Sequence, residues 1–322
     1  MRKVSILIPV YGVEQYIERC SRSLFEQTYE NMEYVFVNDC SPDYSIAVLE
    51  RVIRAYPERK EFVKIIEHER NRGLAASRNT GLVHSTGEFV MCVDSDDWLE
   101  PGSIELLMKQ QLKSDSDIVY GRRLIHDVNG DSLWPEKEYV DSEQMTLQMM
   151  QHSWDHFITG RLFRRSLFED HGLCWQEGLD VAEDRYMMTL LAYFAQSFEY
   201  VDSLVYHYER RNIGAMTYSS QGSKVVRNNR QELENVLALE RFFKDKEPIY
   251  RQECARCVMS QLSINIKAAL DFRDRKEYYR ALKVLRSRHE VENRRGLFGW
   301  IRSRYCWKVL SRIKNSVLQS FK

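Results

Sequence analysis

Glu88-Phe-Val-Met-Cys-Val-Asp-Ser-Asp-Asp-Trp98 decides how the first part of this chain is read: an apolar run of strand length ends abruptly in three carboxylates. Runs of the same kind stand on either side of it, at Val4–Val10, Glu33–Asn38, Val63–Glu67 and Asp117–Tyr120. Between them lie amphipathic stretches at Glu14–Gln27, Ser45–Tyr56, Leu74–His84 and Ser103–Lys113. Strand alternating with helix at this spacing predicts an α/β domain on a mainly parallel sheet with right-handed crossovers. Ligands of such sheets bind beyond the carboxyl ends of the strands. Those ends are Pro9–Tyr11, Asn38-Asp39 and Asp94-Ser-Asp-Asp97, and all are expected on one rim.

Three carboxylates this close repel one another unless a cation or hydrogen-bond donors compensate. Mg²⁺ or Mn²⁺ suits them, because these ions take oxygen ligands, keep waters and commonly bind one or two carboxylates together with substrate phosphates. Such an ion neutralises a diphosphate leaving group. The same residues also read as a surface loop in which Asp97 caps the helix after Pro101. Asp39 is placed to accept from the imide N–H of uracil, or to serve as an Asx-turn residue ahead of Ser41-Pro42. In Asn71-Arg-Gly-Leu-Ala-Ala-Ser-Arg-Asn-Thr-Gly81, Gly73 precedes a helix whose N-terminus favours anions, with Arg78 available for a phosphate. Close helix–sheet packing explains Ala75 and Ala76 equally well.

Beyond this half the sequence turns polar from Asp127 to Ser142, where Val-Asn-Gly-Asp predicts a hairpin. Gln144 to Tyr218 carries two helical patterns and a candidate strand at Phe198–Tyr208. After Gly222 the pattern is helical, through Leu233, Val236, Leu237 and Phe243, then Val258, Leu262, Ile266, Ala269 and Leu270, then Leu282 and Leu285. The expected organisation is a domain over 1–222, with a nucleotide-binding half (1–125) and an acceptor half (126–222), followed by a helical region over 223–322. Cys254-x-x-Cys257 lacks two further zinc ligands and reads as core packing. The tail 296–322 mixes Phe298, Trp300, Trp307, Leu310 and Phe321 with cations. It either rests on an anionic membrane or packs on the helical region; its apolar residues recur nearer every four, so the stripe drifts around the helix.

With 47 Lys+Arg against 47 Asp+Glu in 322 residues, no global field steers the chain to nucleic acid. Seven cysteines, an odd number, predict a reduced, cytoplasmic protein. No apolar run approaches the roughly 18–20 residues that span a bilayer.

The combination resembles glycosyltransferase family 2. It rests on Val4-Ser-Ile-Leu-Ile-Pro-Val-Tyr, Glu14-x-Tyr16-Ile17, Cys20-x-x-Ser23-Leu24-x-x-Gln27-Thr28 and Val37-Asn-Asp-x-Ser41-x-Asp43. Asn71 to Gly81, Gly87-Glu-Phe-Val and Asp94-Ser-Asp-Asp-Trp complete it, in the family's order, across roughly residues 3 to 217. The resemblance implies the Rossmann-like GT-A fold, a mainly parallel mixed sheet with flanking helices. It implies an inverting, metal-dependent transfer from a nucleotide-sugar donor, a UDP-sugar given Asp39, to a hydroxyl of a glycan or lipid-linked glycan. That activity belongs to cell-surface polysaccharide or glycolipid synthesis, in the cytoplasm or on the inner face of the membrane.

By the same resemblance Pro9, Tyr11 and Asp39 hold the base with Arg78 nearby, Asp94 touches the ribose or the metal shell, and Asp96 ligates Mn²⁺ or Mg²⁺. Inversion needs one carboxylate to take the acceptor's proton. The family supplies it from a Glu-Asp pair at a helix start, which falls on Glu183-Asp184, with Asp184 as base and Glu183 as its neighbour or an acceptor ligand. Local physics alone reads these two as first-turn acids favoured by the helix dipole. His207 either completes the metal site, faces the acceptor or packs; Arg210 and Arg211 either reach the diphosphate or stay solvated. Two departures stand out: Cys40 replaces the usual Gly, which strains the backbone if φ is positive there, and Ala215 replaces a usual Ser. Two other readings are a nucleotidyltransferase, whose Gly-rich phosphate loop Pro9-Val-Tyr-Gly-Val-Glu does not supply, and a catalytically silent nucleotide-sugar-binding protein, against which the retained acids argue.

Overall fold

Val-Ser-Ile-Leu-Ile-Pro-Val is apolar on both of its faces, as a strand covered on both sides must be. As β1 (Val4–Val10) all its residues are buried. The computed structural model describes residues 1–151, 156–212, 214 and 223–295. In it β1 pairs in parallel with β2 (Met32–Asn38) and with β4 (Phe89–Cys92), while β2 pairs in parallel with β3 (Val63–Glu67). Four crossover helices accompany these strands: α1 (Ile17–Phe25), α2 (Ser45–Ala55), α3 (Leu74–His84) and α4 (Ser103–Ser114). The strand order runs β3-β2-β1-β4, then β8 (Arg161–Arg164), β6 (Ile118–Asp127), β9 (Phe198–Glu209) and β5 (Trp98–Leu99).

The second half of the sheet makes it mixed. β8 (Arg161–Arg164) runs antiparallel to both β4 and β6 (Ile118–Asp127), and β6 runs parallel to β9 (Phe198–Glu209). β5 (Trp98–Leu99) pairs antiparallel with β9, and β7 (Gly130–Leu133) folds back on β6 as the expected hairpin. The strand foreseen at Phe198–Tyr208 is β9. β5 and β8 were not foreseen, because two and four residues are too few to show a period. Three helices complete this unit: α5 (Ser142–Met150), capped by Asp141 on the Gln144 amide, α6 (Ser166–Glu169) and α7 (Glu183–Phe194).

The apolar core of this unit gathers Ile6, Ile8, Leu24, Phe36, Leu49, Met91 and Leu107. At its border the buried carboxylate Glu33 opposes its own burial with donors from Ser5, Lys3, Lys64 and the Thr86 amide. Burial raises the Glu33 carboxyl, but these donors outweigh it and hold the group down at about 2. A carboxyl lowered by folding stabilises above its unfolded value and loses that contribution as pH falls through its folded value. The parent therefore loses stability between about pH 4.5 and 2 through this group. Glu33→Gln should flatten that part of the acid melt; an unchanged pH profile would contradict the assignment.

The chain divides into two compact units, Met1–Tyr218 and Ser219–Lys322. In the second, α8 (Ser223–Phe242) packs on α9 (Pro248–Asp271) and α9 on α10 (Arg275–Arg295). Val236, Phe243, Val258, Leu262, Ile266, Ala269 and Ala281 are buried there, along with Cys254 and Cys257, as core packing requires. Among the described residues no helix is long and apolar enough to cross a membrane. Ala215 and the tail 296–322, with its membrane-or-packing alternative, lie outside the described residues.

Candidate active site

The parallel pairing of β1, β2 and β4 brings their carboxyl ends together, and two backbone bonds carry it past the strands. Val93 N–H donates to Leu7 O at 3.0 Å, and Asp39 N–H to Val10 O at 3.0 Å. Past Val93 the chain turns, with Asp97 N–H donating to Asp94 O at 3.0 Å. Asp97 is fully buried and accepts from the Tyr206 hydroxyl at 2.6 Å and the Glu209 amide at 2.8 Å. It therefore ties the acidic turn to β9 and is not the helix cap read as one alternative. Burial, then the charges of Asp96 and Asp94, push its carboxyl well up. Tyr206 also accepts from the Asp94 amide at 3.2 Å, so one phenol grips both ends of the turn.

Asp94 and Asp96, fixed by this turn, have different partners. Asp94 Oδ1 accepts from Arg78 Nη2 at 3.0 Å, and Asp96 Oδ2 from the Asn212 amide group at 2.8 Å. Burial and then Asp94 raise Asp96 to about 6, against the Asn212 bond.

Arg78, on α3, is 1% exposed and ties the two acidic clusters together. Its Nη1 donates to Glu183 Oε1 at 2.8 Å and to Asp184 Oδ1 at 2.5 Å, while Nη2 holds Asp94. Sequence reasoning placed Arg78 beside the nucleotide as a phosphate contact. In the structure its guanidinium meets three carboxylates, the cation such a cluster of acids requires.

The acids of α7 are presented by a segment strapped across the start of α3. Asn79 bonds both backbone groups of Trp175, at 2.8 Å each, and Arg72 pairs with Glu177 at 2.9 Å. Asp180 accepts from the Ala75 amide at 3.0 Å, so a carboxylate of the chain itself sits at the helix start expected to favour anions. Gly73, at φ +93°, leaves room for it: a Cβ there would lie 2.3 Å from Asp180 Oδ2. Asn79, Asp180, Tyr206 and Asn212 were given no roles from sequence; Gly73 ahead of a helix was the one visible sign of a close approach.

The strap ends in Ala182, at φ +58°, and Cys40 beside Asp39 adopts φ +58° as well. Positive φ is thus what the Cys40-for-Gly departure meets. Such a conformation costs an L-residue about 1–2 kcal/mol, and strain of this kind gathers at functional sites. Ala182→Gly should raise stability by about 0.5–1 kcal/mol, read as a higher melting temperature. A lower one would mean that the methyl group carries packing outweighing the strain.

At the base end, Asp39 is 3% exposed. Its Oδ1 accepts from His68 at 2.7 Å and the Arg72 amide at 2.8 Å, and its Oδ2 from the Gly73 amide at 2.8 Å. A carboxylate offers about four acceptor positions, so one on Oδ2 remains. Pro9 is buried at the end of β1 and Tyr11, 51% exposed, follows it on the rim. His207 is packed: its ring nitrogens meet Glu100 at 2.5 Å and His126 at 3.0 Å, and Trp98 stacks on it at 4.7 Å. Arg211 pairs with Glu209 at 2.7 Å and Arg210 with Asp127 at 3.5 Å, both half exposed.

Among the described residues no three of His, Cys, Asp and Glu converge as a ready metal cage. The donor set nevertheless fits Mg²⁺ or Mn²⁺. Asp94 Oδ1 and Asp96 Oδ2 are each held by a side-chain donor among the described residues, and an ion that shares two such carboxylates fills its remaining positions with water and phosphate.

Residues 5–172 match the family model described as glycosyl transferase family 2. The putative glycosyltransferase EpsH of Bacillus subtilis is 32% identical over 217 residues, which cover 64% of this chain and 60% of that protein. The glycosyltransferase GlyA of Streptococcus pneumoniae is 30% identical over 227 residues, 65% of this chain and 31% of that one. The chain thus spans less than two thirds of either relative's length. Among solved structures, S. aureus TarS 1-349 in complex with UDP-GlcNAc superposes with a TM-score of 0.65 at 21% identity, covering 87% of this chain and 79% of that one. The mannosyltransferase PcManGT from Pyrobaculum calidifontis, in complex with GDP-Man and Mn²⁺, gives 0.56 at 16% identity, covering 99% and 87%. These likenesses show a GT-A fold.

Proposed function

The chain belongs to glycosyl transferase family 2, and from that premise we propose that it transfers a sugar with inversion from a UDP-sugar to a hydroxyl of a glycan or lipid-linked glycan. The observation that carries this reading is the single guanidinium of Arg78 joining Asp94 on the donor side to Asp184 on α7. One buried cation thereby sets the distance between a leaving-group site and a base. The free acceptor position of Asp39 suits a uracil imide, and the exposed ring of Tyr11 beside Pro9 suits stacking on the base.

In this mechanism Asp184 takes the proton of the acceptor hydroxyl. The hydroxyl oxygen bonds to the anomeric carbon from the face opposite the diphosphate. The bond from that carbon to the diphosphate oxygen breaks, and its electron pair leaves with UDP. Burial and the Asp184 charge push the Glu183 carboxyl well up, against the pull of Arg78, and this favours Asp184 for the base role. Asp96 and Asp94 would hold Mn²⁺ or Mg²⁺, which when bound neutralises charge on the departing diphosphate. The TarS neighbour was solved in complex with UDP-GlcNAc, which supports the choice of a uridine donor.

Cell-surface polysaccharide synthesis belongs to the same proposal, in keeping with relatives such as the minor teichoic acid biosynthesis protein GgaB of Bacillus subtilis. So does a cytoplasmic site of action, for which the six free cysteines among the described residues speak. A panel of UDP- and GDP-sugars, read by diphosphate-nucleotide release with and without Mn²⁺, tests the reading. Turnover of a UDP-sugar is expected, and Asp96→Ala should lose the Mn²⁺-dependent part of donor binding. Absence of turnover and of binding across the panel would overturn it.

A further inference from the structure

The chain's zero net charge hides a division. Residues 1–218 hold 23 Lys+Arg against 36 Asp+Glu, and residues 219–322 hold 24 against 11. Five of the second unit's cations share one face of α10. At about 100° per residue, Arg275, Lys276, Tyr279, Arg280, Lys283 and Arg286 fall within an arc of about 140°. All six are exposed, Tyr279 to 65%. The opposite face holds Glu277, Tyr278, Ala281, Leu282 and Leu285, all buried. The face's acid is therefore turned inward, and five cations surround one tyrosine. Just before the helix, Phe272 is 43% exposed and Arg273 is exposed too. From α8, Glu234 answers one cation, Arg280, at 3.4 Å; the other acids at this end are Asp271 and Asp274.

Cations spread over a wide convex arc, with an aromatic ring between them, cannot close around a single strand of polymer. They match a plane of separate negative charges, into which a tyrosine sinks its ring while keeping its hydroxyl wet. We infer that this face of α10 docks on a bilayer surface rich in anionic lipid headgroups. The residues that form this face belong to α10 and precede the tail 296–322 in sequence. It holds the protein by counter-charge and ring insertion without a membrane-spanning segment. Neither the sugar chemistry nor the site above enters this inference.

Flotation of the full chain with phosphatidylcholine vesicles, with and without phosphatidylglycerol, tests it. Binding is expected only to the anionic vesicles, and to fall steeply as salt rises. Lys276→Gln, Lys283→Gln and Arg286→Gln combined, with the tail intact, should lower partitioning at least about tenfold, and Tyr279→Ala should lower it further. Thermal melts establish that the variants fold, since all four positions are exposed. Undiminished binding by the combined variant overturns the assignment. So does a chain that binds a soluble polyanion such as polyphosphate but neither kind of vesicle.

Discussion

Asp184→Asn leaves UDP-sugar binding close to that of the parent and lowers turnover by about 10²–10⁴-fold, the span a positioned general base supplies. The amide keeps the shape of the carboxylate and an acceptor oxygen toward Arg78, and gives up only the long bond that Asp184 Oδ2 accepts from the Ile158 amide at 3.3 Å. What it loses is the capacity to hold the proton of the acceptor hydroxyl. Glu183 is a poor substitute, because burial and its neighbour's charge push its carboxyl well up. For the same reason Glu183→Gln should cost far less activity than Asp184→Asn. Calorimetric titration of donor and continuous detection of released UDP separate the two effects. Unchanged turnover in Asp184→Asn, or an equal loss in Glu183→Gln, would place the base elsewhere.

The parallel half of the fold was legible because its strands are buried on both faces and its helices are amphipathic, so each element declares itself locally. The rim followed from a rule of parallel sheets, and β1, β2 and β4 do end together. The antiparallel half was less legible: β5 and β8 exist through partners distant in sequence, not through any period of their own. Asp97 shows the same limit inside the site. From its neighbours it was one of three similar acids, yet Tyr206 and the Glu209 amide make it an internal anchor. Only the folding of β9 against the acidic turn distinguishes it from Asp96. The helix start at Gly73 was read as a place for an anion, and Asp180, more than a hundred residues on, sits there. Contacts of that separation leave no mark in local composition.

Removal of the Arg78 charge is expected to have the largest effect on stability. In Arg78→Met the three carboxylates of Asp94, Glu183 and Asp184 lose the guanidinium they share. Deleting one partner of a buried ionic network costs about 3–5 kcal/mol; Asp94 and Asp184 keep partial access to water, which places the expected loss at the lower end of that span. The melting temperature should therefore fall by on the order of 10 °C. The pH dependence identifies the cause. Asp94 and Glu183 are already raised by burial, and without Arg78 they rise further. A carboxyl raised by folding binds its proton more tightly in the native state, so stability is recovered as pH falls and lost as pH rises. Arg78→Met should thus recover part of its deficit near about pH 5, where the parent gains nothing comparable. Arg78→Lys should fall between the two, since an ammonium is a point charge and cannot fork to three acids. Added Mn²⁺ should also narrow the gap, as any cation accepted by Asp94 and Asp96 relieves the same repulsion. A deficit below about 1 kcal/mol, within the span of surface pairs, would mean that these acids are kept apart by something other than Arg78.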